Sequence, residues 1–434
     1  MPTFLASRIL ESAPRPLAPD SVLVACPDAR PPGYQAVVGL ARAGGLDGFL
    51  TGYYHGGGPL LAAASRSARL RRALSRRHDA EIPMGRVRSA WSFDLALSAE
   101  ARLARRLPSG RRLVARWRTR HFDRLLARTL AETRPRAAFL FSDVGSEFAL
   151  PFCRQAGIAA VLSMVHGDVR EERELLAREA EGAPDFFPIY LGDGPIDRTE
   201  MDWLHGRRLQ DVALADRILV PSQHIADALA RHGTPRERIE VVPYAADTRR
   251  FVPMAGKRHG ESCTFLFAGG ITQRKGIKYL LDAWRLIRRP GWNLQLLGAL
   301  PSDPGPLRGH LDEVEWLGRV PHAEVPARMA AADVFVFPSL FEGSAVVTYE
   351  ALACGLPSVV TPSAGSVVRD GEEGLIVPAG DSEALAWAMA RLGLDPSLRA
   401  ACAASARARA EAFGWPRYHA AVVDAVATAV GDRA

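Results

Sequence analysis

Short runs in which every position is apolar alternate along this chain with longer runs in which apolar residues recur every three or four positions. SVLVACP (21–27), AAFLFS (137–142), AAVLSMVH (159–166) and IEVVPYAAD (239–247) read as strands buried on both faces, as a parallel sheet requires. GFLTGYYHGGG (48–58) reads as another strand running into a glycine run. Helical spacing predicts helices over Gln35–Ala43 and Gly145–Gln155, and ALADRILVPS (213–222) couples a helix end to a strand. Strand, loop and helix in repetition describe an α/β domain with a doubly wound sheet. The pattern restarts at TFLFAGG (264–270). A helix over Gly276–Arg288, then NLQLLGA (293–299), VEWLG (314–318), a helix over Ala323–Ala331, VFVFP (334–338), SVVT (358–361), GLIVP (374–378) and a helix from Ser382 make a second α/β unit. FGWPRYHAAVVDAV (413–426) begins a last helix, broken at Gly414 and Pro416. The expected division is 1–248, 249–412 and 413–434, with a hinge near Asp247–Pro253.

Within the second unit, Pro338–Thr361 places two carboxylates, Glu342 and Glu350, on either side of a helix start. Ser344 is the expected N-cap, with Val347, Ala351 and Cys354 on one apolar face, Gly355 as the left-handed C-cap and Pro357 as the stop. The amides of Gly343, Ser344, Ala345 and Val346 then form a site for an anion. A carboxylate directly in front of an anion would repel it, so Glu342 is expected to face neutral hydroxyls beside a phosphate. Glu350, two turns in, reaches a second polyol. One anion between two hydroxyl-rich groups describes a nucleotide-sugar; a capped helix with two solvated glutamates is the plain alternative.

A second loop adds a cation. In ITQRKGIKYLLDAW (271–284), Arg274, Lys275 and Gly276 end a loop and open a helix. The chain holds only three lysines, Lys257, Lys275 and Lys278, among 55 basic residues, which weighs against Lys275 as mere surface charge. Its ammonium suits a diphosphate, above all the charge that grows as a phosphate leaves. His166 falls at a strand end, where ligands of open parallel sheets bind, and Gly33 stands where a ligand can approach the backbone; a structural histidine and a plain tight turn are the alternatives.

Charge changes the picture at 66–136, where 20 arginines face six acids in a chain of net charge +7. RLVARWRTRHFDRLLARTL reads as a basic helix with Leu113, Trp117, Phe122, Leu125 and Leu126 along one face, a pattern of anionic membrane surfaces. Solvated arginines on a core-facing helix are the alternative, and no nucleic-acid motif accompanies the stretch. Five scattered cysteines without C-x-x-C suggest reduced thiols and neither disulfide framework nor zinc site. Residues 1–20 lack a signal-peptide core and no run has the length of a membrane span. The expected location is the cytoplasm, either in solution or peripheral on the inner face of its membrane.

GGITQRKG followed about 70 residues later by PSLFEGSAVVTYEALACGLP resembles the retaining glycosyltransferases of family 4. ADRILVPS, EVVPYAADTRRF, WLGRVPHAEV, GSVVRDGEEGLIVP and FGWPRY match further landmarks of that family, so the likeness covers about residues 205–430. It implies the GT-B fold: two Rossmann-like domains facing across a cleft, with the last helix crossing back to the first. It implies a UDP- or GDP-linked sugar donor in the second domain and a glycan or lipid-linked acceptor in the first, with no metal or other cofactor. Glu342 would contact the donor sugar and Glu350 the ribose. Gly343–Val346 would hold sugar and phosphate, the loop at Arg319 and Val320 the base, Lys275 the diphosphate. His166 would lie near the transferred sugar and Gly33 in the acceptor-side loop. Two positions depart from the pattern: Gly270 stands where an arginine is common, a loss Arg274 could offset, and Ala345 replaces a glycine. A GT-B epimerase and a catalytically silent scaffold are the competing readings.

Overall fold

The computed structural model describes residues 17–28, 31–55, 77–103, 108–192, 196–256 and 260–433. The glycine run at 56–58, the start of the basic stretch (59–76) and most of the N-terminal segment lie outside them.

The first sheet has seven parallel strands: β1 (Val22–Ala25), β2 (Leu46–Thr51), β3 (Val87–Ser89), β4 (Ala137–Phe141), β5 (Ala159–Ser163), β6 (Arg217–Val220) and β7 (Ile239–Val241), in the order β3-β2-β1-β4-β5-β6-β7. The helices between them are α1 (Pro31–Arg42), α2 (Trp91–Leu103), α3 (Pro108–Thr133), α4 (Ala149–Ala156), α5 (Val169–Gly182), α6 (Arg198–Leu214) and α7 (Gln223–Arg231). The second sheet has six parallel strands, β8 (Cys263–Ala268), β9 (Trp292–Leu297), β10 (Glu315–Gly318), β11 (Val334–Phe337), β12 (Ser358–Val360) and β13 (Gly374–Ile376), ordered β10-β9-β8-β11-β12-β13. Its helices are α8 (Ile277–Ile287), α9 (Val325–Ala331), α10 (Val346–Ala353), α11 (Ser382–Leu394) and α12 (Pro396–Ala412); α13 (Trp415–Gly431) follows. Both sheets thus reverse direction beside their first strand, between β1 and β4 and between β8 and β11. The crevice at such a reversal, beyond the carboxyl ends of the strands, is where doubly wound folds bind ligands.

The strands are apolar throughout because helices cover both faces: β1, β4, β5 and β11 are buried along their whole length. In the second sheet Phe335 and Phe337 stack with centroids 5.9 Å apart, and Phe337 stacks on Phe267 at 5.7 Å. α13 returns to the first sheet, packing on α1 and reaching β4, β5 and β6. There the Tyr418 hydroxyl donates to the Pro32 carbonyl at 3.1 Å, and His419 Nε2 lies 2.7 Å from Gln35 Oε1.

Three expectations need correction. α1 begins at Pro31 rather than Gln35, since proline is at home in a first turn; Gly33 is therefore helical and not in a loop. In α3 the apolar positions do not share a face: five residues separate Trp117 from Phe122, about 140° around a helix of 3.6 residues per turn. Phe122 and Leu126 are buried in the core, while Leu113 and Trp117 are 71% and 51% exposed. Nor are most arginines of this helix free charges: five of the seven lie against acids, among them Arg111 at 3.9 Å from Glu100. Arg112 pairs with Asp197 (2.9 Å), Arg116 with Glu200 (3.1 Å), Arg118 with Glu100 (3.0 Å) and Arg120 with Glu147 (2.9 Å). Among the described residues no helix is long and apolar enough to cross a membrane.

Candidate functional site

Two cavities meet where the sheets face each other, and Glu342, Ser344 and Val346 line both. The first, about 690 Å³, lies over the second sheet's reversal point and is walled by Gly270, Lys275, Arg319, Val320 and Glu350. The second, about 630 Å³, is bounded by Gly33, His166, Arg208, Arg274 and Phe341. Each residue expected to contact donor or acceptor lines one or both of these spaces.

Glu342 follows β11 and Lys275 follows β8, neighbouring strands whose loops emerge side by side. The Lys275 ammonium donates to a Glu342 carboxylate oxygen, and an Arg274 nitrogen lies 3.5 Å from the same oxygen. The Lys275 ammonium also sits 5.1 Å from the Phe337 ring centre, a cation–π contact. Burial pushes the Lys275 amine below its ordinary value even though Glu342 pulls the other way. A compact cation that has lost its water and holds a single carboxylate gains from any ligand that brings more negative charge.

The helix start between the glutamates is built differently from the sequence expectation. Ser344 does not cap α10. Its hydroxyl donates to the Gly365 carbonyl at 2.6 Å and lies 3.0 Å from the Tyr349 hydroxyl, so it is spent behind the loop. The N-cap is Ala345, with no side-chain cap, and its own amide is taken by the Ala364 carbonyl at 3.0 Å. Ala345 therefore offers no donor to a ligand. Among the described residues no backbone acceptor takes the amides of Gly343, Ser344 and Val346, and the positive end of the helix remains uncapped toward the cavity. The helix also lacks a single apolar stripe. Thr348, Tyr349, Ala351, Leu352 and Ala353 are all buried, while Val346, Val347 and Glu350 turn to the cavity. Burial raises the Glu350 carboxyl to about 7, opposed only by Arg250.

Across the cleft, His166 lies three residues beyond β5. Its Nδ1 is 2.8 Å from the Gly167 carbonyl and so carries the proton of the neutral ring. Nε2 is buried without a partner among the described residues. Burial, reinforced by Arg208, lowers the ring to about 4, so near neutral pH it presents an acceptor. Asp143, held at φ 75° just past β4, receives both nitrogens of Arg208 at 3.0 and 3.1 Å. Burial alone would raise its carboxyl, but Arg208 and His166 reverse the effect and hold it below the usual range. Sequence reasoning missed Asp143, Arg208 and Tyr349, none of which sits in a motif.

Arg274 is the remaining surprise. It lines the second cavity and not the first, so its side chain does not lie beside Gly270 in this structure, although it reaches Glu342. Its backbone explains the direction: the Arg274 amide donates to the Tyr190 carbonyl at 3.1 Å, tying this loop to the segment after α5. Nearby, Glu179 of α5 accepts from Gln273 Nε2 at 2.5 Å and from the Tyr279 hydroxyl at 2.7 Å, and Ser222 Oγ donates to the Gly343 carbonyl at 3.1 Å.

Residues 262–395 match the family described as "Glycosyl transferases group 1". The D-inositol 3-phosphate glycosyltransferase of Pseudarthrobacter chlorophenolicus is 34% identical over 229 residues, 46% of this chain and 54% of that one. The protein of the same name from Acidothermus cellulolyticus is 34% identical over 230 residues, 47% and 51% of the two chains. The chain thus spans about half the length of the curated relatives it matches. Among solved structures, sucrose-phosphate synthase from Thermosynechococcus elongatus superposes with a TM-score of 0.63 at 19% identity, over 92% of this chain and 96% of that one. HepE of Anabaena, solved in complex with UDP-glucose, gives 0.59 at 15% identity over 94% and 99%. At such identities the likeness is one of fold, here spanning both sheets.

Proposed function

We propose, from the match of residues 262–395 to the group 1 glycosyltransferases and from the GT-B fold, that the protein moves a hexose from a nucleotide diphosphate sugar to a hydroxyl of a glycan or lipid-linked acceptor, with retention of configuration. The observation that carries this reading is the Lys275–Glu342 pair, set between an uncapped helix end and the boundary of the two cavities. A diphosphate in the first cavity competes with Glu342 for Lys275 and accepts from the free amides of the α10 start. Glu342 is then released to accept from hydroxyls of the sugar. Glu350 takes the ribose hydroxyls, and the loop at Arg319 and Val320 meets the base. As the bond from the anomeric carbon to the phosphate oxygen breaks, Lys275 and the helix end stabilise the growing charge. The acceptor oxygen bonds to the same face of the sugar, and its proton passes to the departing phosphate oxygen, so no separate protein base or metal ion is called for. His166, neutral with Nε2 open, accepts from a sugar hydroxyl at the cleft.

We place the activity in polysaccharide or glycolipid synthesis on the cytoplasmic side of a membrane; the exposed Leu113 and Trp117 support a peripheral contact there. The test is release of UDP or GDP from a panel of nucleotide-sugars, starting with UDP-glucose, to which HepE was bound. Turnover should fall with Lys275→Ala and Glu342→Ala. A silent scaffold is the second reading, favoured by Gly270 and by the direction of Arg274, and nucleotide binding without turnover of any donor would select it.

A further inference from the structure

The second cavity has an unusual wall. Part of it is formed by the α2–α3 pair and by α6: Phe93 and Leu97 from α2, Phe122 from α3 and Leu204 from α6. Phe93 and Phe122 are 5% and 1% exposed and anchor the wall in the core, while Leu97 remains 39% exposed beside the open space. The charged groups at this wall are already matched. Arg118, which also covers the Phe93 ring, donates to Glu100 through two nitrogens, at 3.2 and 3.0 Å. Arg208 is matched by Asp143. Hydroxyl-binding groups (Glu342, His166, Ser142) lie instead at the end where the two cavities join. One continuous volume therefore holds both the hydroxyl-binding groups and apolar surface from α2, α3 and α6.

We infer that the acceptor is a glycolipid-like molecule. Its hydroxyl is offered at Glu342 and His166, and its aglycone is an alkyl or prenyl chain laid against Leu97, Phe93, Phe122 and Leu204. This rests on the transferase reading and narrows it, since a purely polar glycan would leave that wall facing water. Each methylene buried on the wall favours binding, so a few of them outweigh a sugar hydroxyl. Leu97 is the residue to change, because its exposure lets a charge be placed there without opening the core.

The test uses the full chain with UDP bound, titrated calorimetrically with n-decyl β-D-maltoside below its micelle concentration and with maltose. The decyl glycoside should bind at least tenfold tighter than maltose. Leu97→Glu should abolish that preference while UDP affinity stays at the wild-type value, and Leu113→Glu, on the outer face of α3, should leave it intact. Equal binding of the two sugars, or no binding of the decyl glycoside, overturns the inference. So does a preference that survives Leu97→Glu or is lost in Leu113→Glu. Should UDP fail to bind, GDP takes its place in the same titration; if neither nucleotide binds, the transferase reading has failed, which is a separate result.

Discussion

Gly343 lies against the backbone of Val165, with no room between them for a β-carbon, and on its other side Gly365 is pressed onto the Gly343 carbonyl in the same way. The loop that carries Glu342 is thus clamped between the two sheets. Overpacking costs about 1–3 kcal/mol, and about 1.4 kcal/mol is a factor of ten. Gly343→Ala should therefore lower donor turnover about tenfold or more while circular dichroism stays unchanged. Gly85→Ala, where a β-carbon meets open space, is the control.

Lys275 supplies a clean titration. Burial lowers its amine and Glu342 raises it, so Glu342→Gln removes the upward pull and the Lys275 value must fall. With three lysines in the chain, ¹³Cε lysine NMR resolves the shift directly, and an unchanged titration would show that the ion pair does not form in solution. Lys275→Met should reduce turnover about 10²–10³-fold, the scale for losing a donor at developing charge.

Donor affinity should depend on pH through Glu350. Its carboxyl stands at about 7 in the free protein, and ribose hydroxyls donating to it favour the charged form, so binding lowers that value and releases a proton. UDP affinity should rise between pH 5.5 and 7.5 and level off above, and Glu350→Gln should flatten the curve. The same raised value means that the unfolded chain loses this proton first. Glu350 therefore contributes stability that declines as pH rises from about 4.5 to about 7. Calorimetry in buffers of different ionisation enthalpy counts the proton released.

Glu179 bridges the halves by accepting from Gln273 and Tyr279. Glu179→Leu removes both bonds and leaves the buried Gln273 amide without its acceptor. A loss of about 2 kcal/mol follows from the cost of one unsatisfied buried group, read as a lower denaturant midpoint with the slope unchanged.

Both sheets were legible because parallel strands are apolar at every position, and VFVFP or AAFLF admits few other readings. That Lys275, Glu342 and Glu350 share one cavity was legible because residues flanking helix starts follow local rules. What escaped depended on partners distant in sequence. Ser344 looked like a cap, but the Gly365 carbonyl, 21 residues on, claims its hydroxyl. Arg274 pointed elsewhere because Tyr190 holds its backbone. Trp117 and Phe122 look alike in a list of apolar residues, and only the helical angle between them separates exposed from buried.

The return of α13 onto α1 has a consequence for how the molecule is made. The helix that covers β4, β5 and β6 is synthesised after every strand of the second sheet. Tyr418 and His419 cannot reach Pro32 and Gln35 until then. During translation the second sheet can close as a unit while the first, though older, waits with an apolar flank uncovered. Domains usually complete in the order in which they emerge from the ribosome; here the first to emerge is the last to be finished.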